Sequence, residues 1–95
     1  MFIISLTYKM PLDEVDKHLP AHVSFLNDQY ASGHFIASGR KVPRTGGIIL
    51  SNMQSRDALN EVLQNDPFMQ YGVADYDIVE FVPSMVSEEM GFLLC

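Results

Sequence analysis

The chain has few of the residues that mark several common protein classes. Its 95 residues contain one cysteine, Cys95, and no tryptophan. A lone cysteine cannot form an intramolecular disulfide, which excludes a disulfide-stapled secreted scaffold and favours a reducing, cytoplasmic location. No apolar run approaches the roughly 20 residues that span a bilayer, and the N-terminus lacks a signal-peptide pattern, so we expect no membrane partner.

Basic residues are also scarce. Six Lys and Arg against twelve Asp and Glu give a net charge of −6. Without a basic stripe to follow phosphates, the chain is not expected to bind nucleic acid. Arg40, Lys41 and Arg44 form one small cluster that could receive a small anionic ligand, although a solvated loop is the commoner explanation for such a cluster.

The length and the composition, which is 47% hydrophobic, predict a single domain over residues 1–95. We expect a core at about residues 1–83, followed by an apolar tail over residues 84–95. Alternating and helical periodicities then predict the order β-α-β-β-α-β, which is typical of an α+β ferredoxin-like sandwich. The predicted strands cover residues 2–8, 35–42, 46–53 and part of 73–82, with helices beginning after Pro11 and at Ser55.

Pro20 lies inside the first predicted helix. A proline there removes one hydrogen-bond donor and clashes with the preceding turn. The sequence therefore predicts either a kink or two helical pieces, with Pro20 near the start of the second.

Both faces of the predicted strands carry apolar residues, although helices would cover only one face. The uncovered face is expected to be buried by a second copy, which predicts a homodimer. The tail either packs across the partner subunit or frays as a free terminus.

His22 lies on an apolar helical stripe, three residues after Leu19 and four before Leu26. This spacing directs the imidazole toward the sheet. Taken alone, such a residue is more often a core histidine that satisfies a structural hydrogen bond.

Asp66 extends the buried face of the second helix and immediately precedes Pro67. Taken alone, it suits an N-cap before a new helical turn. In this fold, however, the two helices lie side by side on one sheet face. We therefore expect His22 and Asp66 to lie within hydrogen-bonding reach, where the carboxylate would fix the tautomer of the imidazole and raise its basicity.

Other chemistries find less support in the sequence. His18 and His22 have the i, i+4 spacing that can hold a metal, but no further ligands complete a site, so we expect neither a metal nor a cofactor. No G-x-S-x-G pattern indicates a serine hydrolase, and Cys95 has no obvious activating neighbour.

The segments around His22 and Asp66, together with five further segments, resemble the YciI-like family of the dimeric α/β-barrel superfamily. The resemblance implies a ferredoxin-like fold that dimerises through its sheets, and an active site built on His22 and Asp66, with Ser38 close by. Some relatives act on lactones, as in chloromuconolactone dehalogenation. The matching segments are residues 2–8, 20–26, 37–39, 47–50, 65–68, 71–73 and 76–81.

One position departs from the family. Many members have an arginine three residues before the histidine, where this chain has Leu19. If that arginine holds an anionic substrate, this protein must either use another cation, such as Arg40, or bind a different ligand. We expect Arg40, beside Gly39, to bind the ligand.

The leading hypothesis is a small acid–base enzyme, of a lyase or isomerase type, acting on a small organic substrate that is lactone-like or anionic. His22 and Asp66 would transfer the proton and Ser38 would orient the substrate. The alternative is a non-catalytic ligand-binding or interaction module in which the same pair is a buried structural bridge. A haem-binding or monooxygenase relative is disfavoured, because no further metal-ligand motif and no tryptophan are present. A solvent-connected cavity at His22 would favour the enzyme, and a sealed pair would favour the module.

Overall fold

The computed structural model describes residues 1–94. Within these residues the chain forms four strands, three α-helices and, after the last strand, a 3-10 helix. Their bounds are β1 Phe2–Tyr8, α1 Leu12–Ala31, β2 Phe35–Arg40, β3 Gly46–Ser51, α2 Arg56–Leu63, α3 Pro67–Gln70, β4 Ala74–Glu80 and the 3-10 helix Glu88–Leu94.

The four strands make one antiparallel sheet in the order β2-β3-β1-β4. The first strand therefore lies in the interior of the sheet, between two strands that follow it much later in the chain. This topology confirms the predicted ferredoxin-like sandwich, in which each helical connection joins two consecutive strands that are not neighbours in the sheet.

Alternation along β1 explains which face the helices cover. Phe2, Ile4 and Leu6 are almost completely buried and point to the same side of the sheet. They pack with Val15 of α1 and Leu59 of α2 in the main core. The amphipathic helices therefore settle on this side, and the positions between the buried residues face away from them.

Gly46, the first residue of β3, allows the strands to approach each other closely. A Cβ atom at this position would lie 1.7 Å from the carbonyl oxygen of Leu6. Only glycine fits there without moving the backbone of β1.

The first helix runs without interruption through Pro20. The predicted alternative of two helical pieces is therefore wrong. Pro20 lies on the exposed side, as does Asp16, whose carbonyl would have accepted the missing N–H. Water can bond that carbonyl, so the helix loses one internal hydrogen bond without leaving a buried polar group unpaired.

The hairpin strands are shorter than the periodicity predicts. The amide of Lys41 donates to Gly46 at 2.9 Å, which closes the hairpin just after β2 ends. At the other end of β3, the hydroxyl of Ser51 accepts from the amide of Met53 and turns the chain away. Apolar residues beyond these closures, such as Val42, lie in loops.

The sheet face away from the helices carries apolar side chains. Ile3 pairs across the strands with Leu50 and Val79, and Ile48 lies on the same side. Val79 is 50% exposed. The chain after β4 forms the short 3-10 helix, which has no buried residue, and the predictions on Cys95 fall outside the described residues.

Within residues 1–94, the structure contains no helix that is long and apolar enough to cross a membrane.

Candidate functional site

The structure brings the side chains of His22 and Asp66 together between the helices and the sheet. Nδ1 of His22 lies 2.7 Å from Oδ1 of Asp66, although 44 residues separate them in sequence. Asp66 is fully buried and His22 is 7% exposed. The convergence follows from α1 and the α2–α3 segment crossing the same face of the sheet.

The carboxyl group of Asp66 is surrounded by hydrogen-bond donors. The amide of Phe68 donates to Oδ1 at 3.0 Å, and the hydroxyl of Tyr76 donates to Oδ2. An ionised carboxylate can only accept, so Nδ1 of His22 must be the protonated nitrogen in this arrangement. The lone pair of a neutral imidazole then lies on Nε2.

Tyr76 is held in its protonated form. Its burial, and then the negative charge of Asp66, raise the pKa of the Tyr76 hydroxyl far above its ordinary value. The hydroxyl therefore remains a donor throughout the range of pH in which enzymes are assayed. Tyr76 lies on β4 opposite Leu6, on the helix-covered face of the sheet.

Asp66 reaches this position because it begins a new helix. Its backbone is extended, and Pro67 occupies the first turn of α3. Proline suits this turn because its missing N–H would have no partner there. The side chain thus serves as N-cap and as partner of His22 at once, so the two interpretations of its sequence pattern are compatible.

Phe68 fixes the plane of the imidazole. Its ring lies parallel to that of His22, with an interplanar angle of 2° and a centroid distance of 3.9 Å. Because the amide of the same residue bonds Asp66, the turn Asp66–Pro67–Phe68 sets both the rotation and the tilt of the histidine ring.

A cavity of about 400 Å³ opens beside His22. No described residue accepts from or donates to Nε2, and no fully buried side-chain nitrogen or oxygen in residues 1–94 lacks a partner. Nε2 is therefore in contact with solvent. The apolar part of the cavity wall includes Leu6, Leu19, Val23, Leu26, Ile49 and Phe68.

The other residues predicted for the site line the same cavity. Ser38, Gly39 and Arg40 come from the end of β2. The hydroxyl of Ser38 lies 2.5 Å from that of Tyr30 on α1, which fixes its position. The structure thus places these three residues on one wall of the cavity, and their roles toward a ligand stay predictions.

Three further polar side chains at the cavity were not identified from the sequence as site residues in their own right. Tyr8, Asp16 and Arg44 also line it. Arg44 Nη2 donates to Oδ1 of Asp16 at 2.5 Å, and its guanidinium lies over the ring of Tyr8, 5.9 Å from the centroid. The three cations that are close in sequence therefore have different surroundings. Arg40 and Arg44 line the cavity, whereas Lys41 donates to Thr7.

His18 lies outside the cavity. Its ring stacks on Tyr71 with a centroid distance of 4.8 Å. Among residues 1–94, no group of three or more His, Cys, Asp or Glu side chains is placed to hold a metal ion.

Comparison with known proteins identifies the family. Residues 1–82 match the model of the YCII-related domain. The chain belongs to this family. The match confirms the resemblance seen in the sequence, and the tail after β4 lies beyond it. No curated protein matches the chain.

A solved structure is similar to this member of the YCII-related family. It is 5-chloro-2-hydroxyhydroquinone dehydrochlorinase (TftG) from Burkholderia phenoliruptrix AC1100, in complex with 2,5-dihydroxybenzoquinone. The TM-score is 0.70 at 18% sequence identity, over 85% of this chain and 93% of that chain. This likeness confirms the ferredoxin-like fold.

Proposed function

We propose that the protein is an acid–base enzyme in which His22, supported by Asp66, transfers a proton to or from a small cyclic organic substrate. The observation that carries the proposal is the solvent contact of Nε2 in a cavity, while Nδ1 is bound to a buried carboxyl group. A purely structural pair would be sealed, and this one opens into a space large enough for a ligand.

The neighbours of His22 suit it to act as a general base. Donation from Nδ1 to Asp66 leaves the lone pair of Nε2 free to take a proton. The imidazolium that forms is stabilised by the negative charge of Asp66, which is itself held by Tyr76 and the amide of Phe68. The same imidazolium can then return the proton to the product or to water.

The cavity suits a compact ring that carries acidic oxygen atoms. Its walls combine aliphatic and aromatic carbon with the hydroxyl of Ser38 and the charge of Arg40. We assign Ser38 the role of orienting the substrate, and Arg40 with the adjacent Gly39 that of binding it. The ligand of the dehydrochlorinase structure, 2,5-dihydroxybenzoquinone, is a molecule of this kind.

Proton transfer can be tested on two substrates of this class, 5-chloro-2-hydroxyhydroquinone and a chloromuconolactone. Each is incubated anaerobically with the protein in D₂O, and NMR follows deuterium incorporation at ring carbon while an ion-selective electrode follows chloride. We expect at least one substrate to react faster than in buffer alone. Equal rates with and without the protein, for both substrates, would contradict the proposal.

We also propose that the protein is a homodimer joined through the sheet face away from the helices. The supporting observation is the set of partly exposed apolar side chains there, Ile3, Ile48, Leu50 and Val79, which lie on the side of the sheet opposite the main core. Light scattering at micromolar concentration should give twice the chain mass of 10.7 kDa. We expect the interface of this dimer to bury at least about 1,200 Å² in total. A monomer mass under these conditions would rule the dimer out. The cytoplasmic location stays a prediction from the single cysteine.

A further inference from the structure

Arg44 is the charged residue at the cavity whose present partner a ligand could replace. It extends from the loop between β2 and β3, and its guanidinium is paired with Asp16 on α1. The Arg44 side chain is 32% exposed and that of Asp16 is 53% exposed. An ion pair in contact with water contributes little to stability, so a second carboxylate or phenolate can compete for the guanidinium.

Asp16 and Arg44 line the same cavity as His22. Asp16, Leu19, His22 and Leu26 all line the cavity and recur at steps of three or four residues. Asp16 and His22 are six positions apart on α1, which corresponds to about 9 Å along the helix axis. The cavity of about 400 Å³ that both side chains line has room for a single six-membered ring with substituents, and we expect one end of the ring to lie at Nε2 and the other at the guanidinium.

The ring of Tyr8 helps to keep the Arg44 guanidinium at the cavity wall. The cation lies over the tyrosine ring, and this contact does not depend on Asp16. If Asp16 releases Arg44, the ring still keeps the positive charge near the cavity. The planar guanidinium can then offer two parallel N–H groups to an acidic oxygen pair, as it does toward carboxylates.

We propose that Arg44 determines specificity for acidic substrates, and that Asp16 occupies its guanidinium until the acidic oxygen of the substrate replaces the carboxylate. This inference rests on the proposed function and names its substrate class, a monocyclic compound that is ionised at neutral pH at the end opposite the reacting carbon. Asp16 then acts as a competitor that neutralises Arg44 in the empty site, and a neutral ring of the same size, which cannot replace its carboxylate, gains no ion pair with the guanidinium.

The test measures binding of 2,5-dihydroxybenzoquinone by isothermal titration calorimetry. Its hydroxyl groups are vinylogous carboxylic acids and are ionised at neutral pH, whereas hydroquinone has a similar ring and is neutral. Asp16→Asn should tighten the Kd of the acidic probe about two- to fivefold, because it removes the competing charge of an exposed pair. Arg44→Gln should weaken it about tenfold or more, because a charged hydrogen bond is lost.

Two controls make the result specific. Lys41→Gln removes a charge from the same loop, but Lys41 contacts Thr7, so the Kd should stay within twofold of wild type. In the double variant Asp16→Asn/Arg44→Gln the tightening should vanish, because Asp16 acts only through Arg44. Hydroquinone should show none of these effects.

The proposal is overturned if Arg44→Gln binds the acidic probe as well as wild type does, or if Asp16→Asn fails to tighten binding. It is also overturned if the tightening persists without Arg44, or if neither wild type nor Asp16→Asn binds the probe at millimolar concentration. Failure of the proposed proton transfer would give a different result from failure of this binding proposal. The charge dependence of binding should survive His22→Gln, so a protein that binds in this way but accelerates no reaction contradicts proton transfer alone.

Discussion

Replacing His22 with glutamine should lower kcat by a factor of about 100 to 10,000, the usual contribution of a positioned general acid or base. Glutamine is polar and similar in reach, but its amide cannot accept and return a proton at neutral pH. Steady-state kinetics on whichever substrate the wild type consumes will measure the loss. KM should change much less than kcat, because the cationic and apolar walls of the cavity remain.

The matched control is His18→Gln, which makes the same exchange on the same helix. His18 stacks on Tyr71 outside the cavity, so its replacement should leave kcat within about twofold. Circular dichroism should show both variants folded. If the His22 variant retains more than a tenth of the wild-type kcat, the imidazole is not the group that transfers the proton.

Replacing Asp66 with alanine should lower the free energy of unfolding by about 3 to 5 kcal/mol, as expected when one partner of a buried polar pair is removed. Three donors lose their acceptor at once, namely His22 Nδ1, the Phe68 amide and the Tyr76 hydroxyl. Each stranded group costs about 1 to 3 kcal/mol, and relaxation or entry of water will recover part of the sum. Urea unfolding at a fixed protein concentration will measure the change, since dimerisation makes stability concentration-dependent.

Asp28→Ala provides the matched control for this substitution. Asp28 is an exposed aspartate of α1, and its side chain forms no hydrogen bond with the described residues. Its replacement should change the free energy of unfolding by no more than about 0.5 kcal/mol. A loss below about 1 kcal/mol for Asp66→Ala would mean that the carboxyl group is not integral to the folded core.

Much of the fold could be predicted because hydrophobic residues recur at the spacing typical of a strand or a helix. Alternation marks β1 as a strand, and the buried stripe together with Ser55 as N-cap marks α2. The meeting of His22 with Asp66 could be expected once both lay on inward faces of helices on the same side of one sheet. The sequence left open whether Pro20 kinks α1 or divides it into two helical pieces, because the outcome depends on whether water can bond the carbonyl that loses its partner.

The remaining polar contacts of the site depend on how distant parts of the chain are placed in space, which the periodicity of hydrophobic residues does not predict. Tyr76 has the alternation of an ordinary strand residue, and only the register of β4 against β1 brings its hydroxyl to Asp66. Arg44 lies in a loop, 28 residues from Asp16, and its direction is set by where the hairpin closes. A sequence pattern can therefore identify the histidine and its carboxylate more readily than the groups that hold them.

The turn Asp66–Pro67–Phe68 also matters for protein design. Within three consecutive residues it supplies the carboxyl oxygen that binds Nδ1, the amide that holds this oxygen, and the ring that sets the imidazole plane. The orientation of His22 is thus encoded mainly in one short stretch of local sequence. A designer who wished to move this histidine site into another sandwich would need to transplant one helical face, one tyrosine and this tripeptide, because the rest of the scaffold need only hold them in register.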